Sequence, residues 1–135
     1  MTKMSDQSKD SLDTPWGRVW VDHDNGICRV NFLPGLHQTL QIAVEEMQAV
    51  GKVTDGRPMP LLVDLRNVKA TDFDARRYYG GPESKSRWKA AALLTGTPLS
   101  NAIANLWLAR HNSRENPARM FTVEAEAIAW LKKVV

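Results

Sequence analysis

The sequence predicts an α/β fold, a mixed β-sheet with a parallel core entered through an N-terminal antiparallel hairpin. Three observations carry that expectation. Residues 16–32 hold two aromatic and β-branched runs separated by Asp22-His23-Asp24-Asn25-Gly26, the densest turn chemistry in the chain. Leu61-Leu62-Val63 is a short continuous apolar run, the kind that lies buried on both faces of a parallel sheet. After it, apolar runs and amphipathic stretches alternate to the end, as strand–helix units do.

The elements follow in order. Residues 1–14 are rich in Ser, Asp, Lys and Thr and read as a disordered N-terminal tail rather than as a phosphate-accepting segment built on Ser5, Ser8 and Ser11. Residues 15–135 form a single domain. Trp16 to Val21 is the first strand, and Ile27 to Phe32 the second, with Cys28, Val30 and Phe32 alternating against Ile27, Arg29 and Asn31. Leu33-Pro34-Gly35 breaks the strand. Apolar residues at 40, 43, 44, 47 and 50 then mark an amphipathic helix capped by Thr39, ending near Lys52. A loop with Gly51, Asp55-Gly56 and two prolines leads to the core strand, residues 59–65.

Thr71 or Asp72 caps a short second helix, stopped by Gly80-Gly81-Pro82, and residues 83–87 are charged loop or helix. Trp88 to Thr95 reads as a buried strand. Thr97 and Pro98 start a helix whose inner face is Leu99, Ile103, Leu106, Trp107 and Arg110. Residues 118–121 form a last strand. Thr122 caps a final helix with Glu124 and Glu126 at its start, Lys132 and Lys133 at its end, and Ala127, Trp130, Leu131 and Val134 inward. The expected order is β-β-α-β-α-β-α-β-α.

Composition narrows the function classes. At 135 residues with 43% apolar and 24% charged residues, the chain matches one ordinary globular domain. No apolar run reaches the length of a membrane span, and residues 1–15 lack the apolar centre of a secretory signal, so membrane insertion is not expected. The lone Cys28 cannot form an internal disulfide, which fits a cytoplasmic protein, and it reads as a small core residue. Between Arg66 and Arg119 ten basic residues face four acidic ones, an excess read as a solvated face. Aromatic residues are not interleaved with it, so no nucleic-acid partner is expected.

Three segments resemble the SpoIIAA-like, STAS/SEC14-type superfamily of bacterial domains. They are Leu62-Val-Asp-Leu-Arg-Asn-Val-Lys69, Ala91-Ala-Leu-Leu-Thr-Gly-Thr-Pro-Leu-Ser100, and Pro117-Ala-Arg-Met-Phe-Thr-Val-Glu-Ala-Glu-Ala-Ile-Ala-Trp-Leu131. The likeness covers about residues 16–133 and points to an uncharacterised branch. It implies a module that binds a partner protein. STAS domains of the anti-anti-sigma type are switched by phosphorylation of a serine at the start of the helix after the central strand. Here the matching positions read Asp72-Phe73-Asp74-Ala75, with no hydroxyl at the acceptor position, which argues against such a switch.

Catalytic constellations are scarce. His23, His37 and His111 are far apart, and no nucleophile elbow, phosphate-binding loop or paired-cysteine site occurs. Neither a metal nor a cofactor is expected. Asp64, Arg66, Thr97 and Thr122 fall at or past the C-terminal ends of strands, where open α/β sheets bind ligands. Helix starts after Thr97 and Thr122 would offer amide donors to an anion. These four are the candidate ligand- or partner-binding residues, although Asp64 and Arg66 are also placed to pair with one another. Trp107 and Trp130 are expected in the core, with Trp16, Trp20 and Trp88 covering a sheet edge or a subunit contact. The leading expectation is a non-enzymatic regulatory module, homodimeric, with an unknown protein partner. The alternative is a small-molecule or lipid binder using a crevice at those strand ends.

Overall fold

Among the described residues, 10–134 of this computed structural model, eight strands and five helices follow one another. In chain order they are β1 (Ser11–Thr14), β2 (Gly17–Asp22), β3 (Ile27–Phe32), β4 (Leu36–Gln38), α1 (Leu40–Val53), β5 (Met59–Asp64) and β6 (Val68–Thr71). Then come α2 (Phe73–Tyr79), α3 (Pro82–Lys85), β7 (Trp88–Leu94), α4 (Pro98–His111), β8 (Ala118–Phe121) and α5 (Glu124–Val134). The main sheet runs β1-β2-β3-β5-β7-β8, while β4 and β6 form a separate parallel pair. The first three strands are antiparallel neighbours; β3, β5, β7 and β8 are parallel. The expected mixed sheet with an antiparallel hairpin is therefore present.

The alternation of side chains along β5 divides the core. Leu61 and Val63 face α1, α2 and α4 with Val19, Cys28, Val30, Ala91 and Leu93. Leu62 faces α5 with Ile27, Ala90, Ala92, Leu94, Ala127 and Leu131. Burial on both faces is what a continuous apolar run needs; crossover helices cover one face, and α5, after the last strand, covers the other. Alanines 90 to 92 sit fully buried in β7, where small side chains let helices approach the sheet closely. Among the described residues no helix is long and apolar enough to cross a membrane.

Several expectations need correction. Ser11–Thr14, assigned to the tail, form an edge strand: Leu12 pairs with Val19 and packs on the core, and the Thr14 hydroxyl donates to the Gly17 carbonyl at 2.8 Å. Residues 1–9 lie outside the described residues. Strands β4 and β6 were not anticipated, because three or four residues paired across a long sequence gap leave no periodicity to read. Helix α4 is rotated from its expected face. Ile103 and Trp107 point inward as expected, but Ser100 and Ala104 join them while Leu99 and Leu106 are half exposed. In α5, Ala127 and Leu131 are buried as expected, but Val134 is exposed. Trp16 and Trp88, expected at an edge or contact, are core residues, and only Trp20 of those three is partly exposed.

The hairpin meets a tight constraint at Gly17. A Cβ there would lie 2.1 Å from the Asn31 carbonyl oxygen of β3, a clash with backbone that cannot move without breaking the ladder. Gly17→Ala is expected to cost about 1–3 kcal/mol, read as a lowered urea midpoint; an unchanged midpoint would contradict the β2–β3 register.

Candidate functional site

The parallel register sets Asn31, Asp64, Leu94 and Phe121 in one row across the sheet. One residue further on, the Leu65 amide donates to the Leu94 carbonyl and the Thr95 amide to the Phe121 carbonyl, both at 2.8 Å. Asp64, Arg66, Thr97 and Thr122 therefore do reach the same end of the sheet. What they do there is largely internal. The Asp64 carboxylate accepts from the Arg66 amide at 3.0 Å, from its Nε at 3.0 Å and from its Nη2 at 2.7 Å. This carboxylate raises the Arg66 pKa, fixing the guanidinium in its charged form. Gly96 lets the stem of Arg66 lie close, since a Cβ there would be 3.2 Å from its Cδ.

Thr97 caps α4 as expected. Its hydroxyl accepts from the Ser100 amide at 3.0 Å, and the buried Ser100 hydroxyl accepts from the amides of both Gly96 and Thr97 at 3.0 Å. With Pro98 lacking an N–H, these bonds occupy the amides of Gly96, Thr97 and Ser100 and leave an anion only the Leu99 amide of the first turn. Thr122 does not cap α5. The first helical bond runs from the Ala127 amide to the Val123 carbonyl, which places Val123 at the cap and Thr122 one residue earlier. The α5 start is held instead by Glu124, whose carboxylate pairs with Arg29 of β3 at 3.0 Å.

Helix starts crowd this end, because every crossover from a parallel strand begins its helix there. Asp72 takes the cap position of α2 without a side-chain cap bond; its carboxylate meets His37 Nε2 at 2.6 Å instead. Phe73 follows, with the Arg76 guanidinium 5.8 Å from its ring centre, and Asp74 is exposed in the first turn. Leu33 in the β3–β4 loop, Leu40 and Phe73 at the first positions of α1 and α2, Leu99 in α4 and Val123 are each 43–51% exposed. Five of the seven large apolar residues exposed among the described residues thus sit at one end of the sheet.

A second polar cluster lies inside the molecule, and the sequence reading missed it. Glu46 of α1 is 1% exposed, and its Oε1 accepts from the Tyr79 hydroxyl at 2.5 Å. The Tyr79 oxygen in turn accepts from Gln38 Nε2 at 3.1 Å, and Gln38 is also buried. Burial pushes the Glu46 carboxyl up to about 8, only partly offset by the Tyr79 donor. Tyr79 is raised well above its ordinary value by burial and by Glu46. Cys28, buried nearby, is pushed up to about 12 by its burial and then by Glu46, so it is an inert core thiol. The signal was present in the sequence: 43, 46, 47 and 50 share one helical face, and Glu46 completes it.

At the opposite end a groove of about 780 Å³ opens between the hairpin and the end of α1, lined by Leu12, Val21, His23, Lys52, Arg57 and Met59 among others. Its polar equipment is loose. The amides of Thr54, Asp55, Gly56 and Arg57 are all bonded within the turn, and His23 pairs with Asp10 at 2.9 Å. Only flexible side chains remain to meet a ligand, so the groove has no fixed polar group to orient one.

This architecture is that of the SpoIIAA-like class. An uncharacterised protein of the DUF3478 family with a SpoIIAA-like fold, from Shewanella loihica PV-4, superposes with a TM-score of 0.59 at 11% identity. The match covers 90% of this chain and 93% of that one, and it shows the fold alone. A protein of unknown function from Arthrobacter sp. FB24 is 25% identical over 89% of this chain and 95% of its own, with a TM-score of 0.34. A comparison with curated proteins returns no match. Residues 19–135 match the model of DUF7793, a domain of unknown function, and the chain belongs to that family.

The buried carboxyl has a measurable consequence. Its pKa is higher folded (about 8) than the ordinary carboxyl value of 4.5, so between those values the unfolded chain ionises first. Stability is then fullest below pH 4.5 and falls as pH rises to about 8 through this group, by roughly tenfold in the unfolding constant per unit. Glu46→Gln is expected to remove that slope and to stabilise the protein at neutral pH by a few kcal/mol, at about 1.4 kcal/mol per pH unit above the ordinary carboxyl value. Parallel wild-type and variant urea curves across that pH range would contradict it.

Proposed function

We propose that this domain is a non-catalytic regulatory module that binds a partner protein with the end of the sheet where its parallel strands stop. The observation that carries the reading is the grouping of Leu33, Leu40, Phe73, Leu99 and Val123 at that end, each about half exposed. Exposed apolar side chains gathered on one side mark an interaction surface more often than singly scattered ones do. The SpoIIAA-like resemblance supports the same location, since it places partner recognition around the start of the helix after the central strand. At that start this chain has Phe73 and Asp74 rather than a phosphorylatable serine. Recognition by the domain is therefore constitutive with respect to phosphate at this position.

The alternative is a small molecule or lipid held among Asp64, Arg66, Thr97 and Thr122. It is the less supported proposal, because Asp64 and Arg66 satisfy each other and Ser100 takes the amides at the α4 start. A homodimer and a cytoplasmic location belong to the main proposal, with Trp20 the remaining tryptophan among the three first assigned to contacts.

A photo-crosslinking residue placed at Phe73 or Leu99 in cells is expected to give a discrete protein adduct, and one placed at the exposed Gln48 of α1 none. An adduct of twice the chain mass makes the partner a second copy. Equal labelling from all three positions, or none from Phe73 and Leu99, would contradict the proposal.

A further inference from the structure

We propose that the buried Gln38–Tyr79–Glu46 chain is a proton-gated latch, which holds α2 and the β4–β6 pair on the core while the Glu46 carboxyl is protonated and releases them when it ionises. The inference rests on the docking reading above, because α2 carries Phe73 and β4 leads into Leu40.

Gln38 grips both ends of α2. Its backbone carbonyl accepts from the Asp72 amide at 2.9 Å at the start of the helix, and its side chain donates to Tyr79 at 3.1 Å at the end. Tyr79 then hands the connection to Glu46 on α1 at 2.5 Å. The neighbouring elements β4 and α1 are thus joined to the more distant α2 through one tyrosine hydroxyl that ends on the Glu46 carboxyl. Besides that contact, the small unit of β4, β6 and α2 joins the body through apolar packing, the α4 neighbour and turn bonds such as Val68 amide to Leu65 carbonyl and Asn67 side chain to Phe32 carbonyl.

Apart from the Tyr79 hydroxyl, the surroundings of Glu46 offer a charge no compensation. From β3 it faces Cys28, and from α2 it faces Tyr78 and Tyr79, all three raised in pKa and neutral at pH 7. Those approaching from β5 and β7 are Leu61, Val63, Trp88 and Leu93, and α4 brings Ile103 and Trp107. On its own helix Glu45 is turned away to the Trp16 indole at 3.0 Å. Arg87, whose guanidinium lies over Gly51, acts on Tyr78, which also donates to Glu83. No cation lowers the Glu46 pKa. The adjoining cavity, about 20 Å³, has room for one water and not for the hydration shell of a carboxylate. Ionisation of Glu46 is therefore resisted in the closed state and relieved by opening, which is the requirement for a gate.

Because the open state ionises near the ordinary value of 4.5 and the closed state near 8, opening becomes more frequent across that window and levels off above it. Neutral pH lies inside the window.

Hydrogen exchange of the full chain, with rates corrected for intrinsic base catalysis, tests the latch. The α2 amides are expected to lose protection roughly tenfold per pH unit up to about 8, and to open with a lower free energy than the β5 amides. Glu46→Gln is expected to abolish the slope. Tyr79→Phe, which removes the donor that favours the carboxylate, moves the levelling-off to higher pH. A slope that survives Glu46→Gln, or α2 amides that exchange only together with β5, would overturn the latch. Crosslinking from Phe73 serves as an independent arm. If it yields no adduct at any pH while exchange follows the expected course, the docking reading fails and the latch stands; a latch failure with adducts intact leaves the reverse.

Discussion

The fold depends on β5 being buried on both faces. Leu61 and Val63 need cover on one side and Leu62 on the other, and neither side can be left to water at a cost of about 1.5–3 kcal/mol per large side chain. The crossovers from β3, β5 and β7 bring α1, α2 and α4 onto the Leu61 and Val63 side, and α5, which follows the last strand, covers Leu62. The same connectivity starts each of those helices at one end of the sheet. The collection of helix N-termini there, with their half-exposed first-turn residues, is thus a by-product of covering β5, and the surface proposed for recognition inherits its position from the core.

Much of this was readable. Apolar runs gave β3, β5, β7 and β8 to within a residue or two, and Thr39 and Thr97 announced their helices by the usual cap chemistry. The failures share physical causes. Strand β1 has a single apolar residue, Leu12, and exists because β2 offers it a ladder, something only the folded sheet supplies. The α4 face was misjudged because Leu99 and Leu106 look more apolar than Ser100 and Ala104. The capping box requires the Ser100 hydroxyl beneath the Gly96 and Thr97 amides, and that requirement sets the rotation of the whole helix. Once Ser100 faces inward, Ala104 and Trp107 must follow it, and Leu99 and Leu106 turn outward.

The candidate site was half legible. Its location followed from the rule for strand ends, and Asp64, Arg66, Thr97 and Thr122 lie at that end of the sheet, where only Asp64 and Arg66 bond to one another. Their roles did not follow, because sequence cannot show that Asp64 and Arg66 would close on each other or that Val123 would take the cap in place of Thr122. A buried carboxyl with no cation beside it lies elsewhere. Glu46 occupies a core position on α1 among apolar neighbours, and a charged residue there reads as a surface residue unless the helical face is drawn one position over.

A buried carboxyl without a cation is costly to ionise, and replacing it by an apolar residue would give a simpler core. Its presence at the meeting point of β4, α1 and α2 links the protonation state of the interior to the element that bears Phe73. The account stands on Glu46 holding its proton at neutral pH. A carbon-13 NMR titration of the Glu46 side-chain carboxyl in the intact protein measures this directly. The expected midpoint is near 8; a midpoint near the ordinary 4.5 would contradict the account.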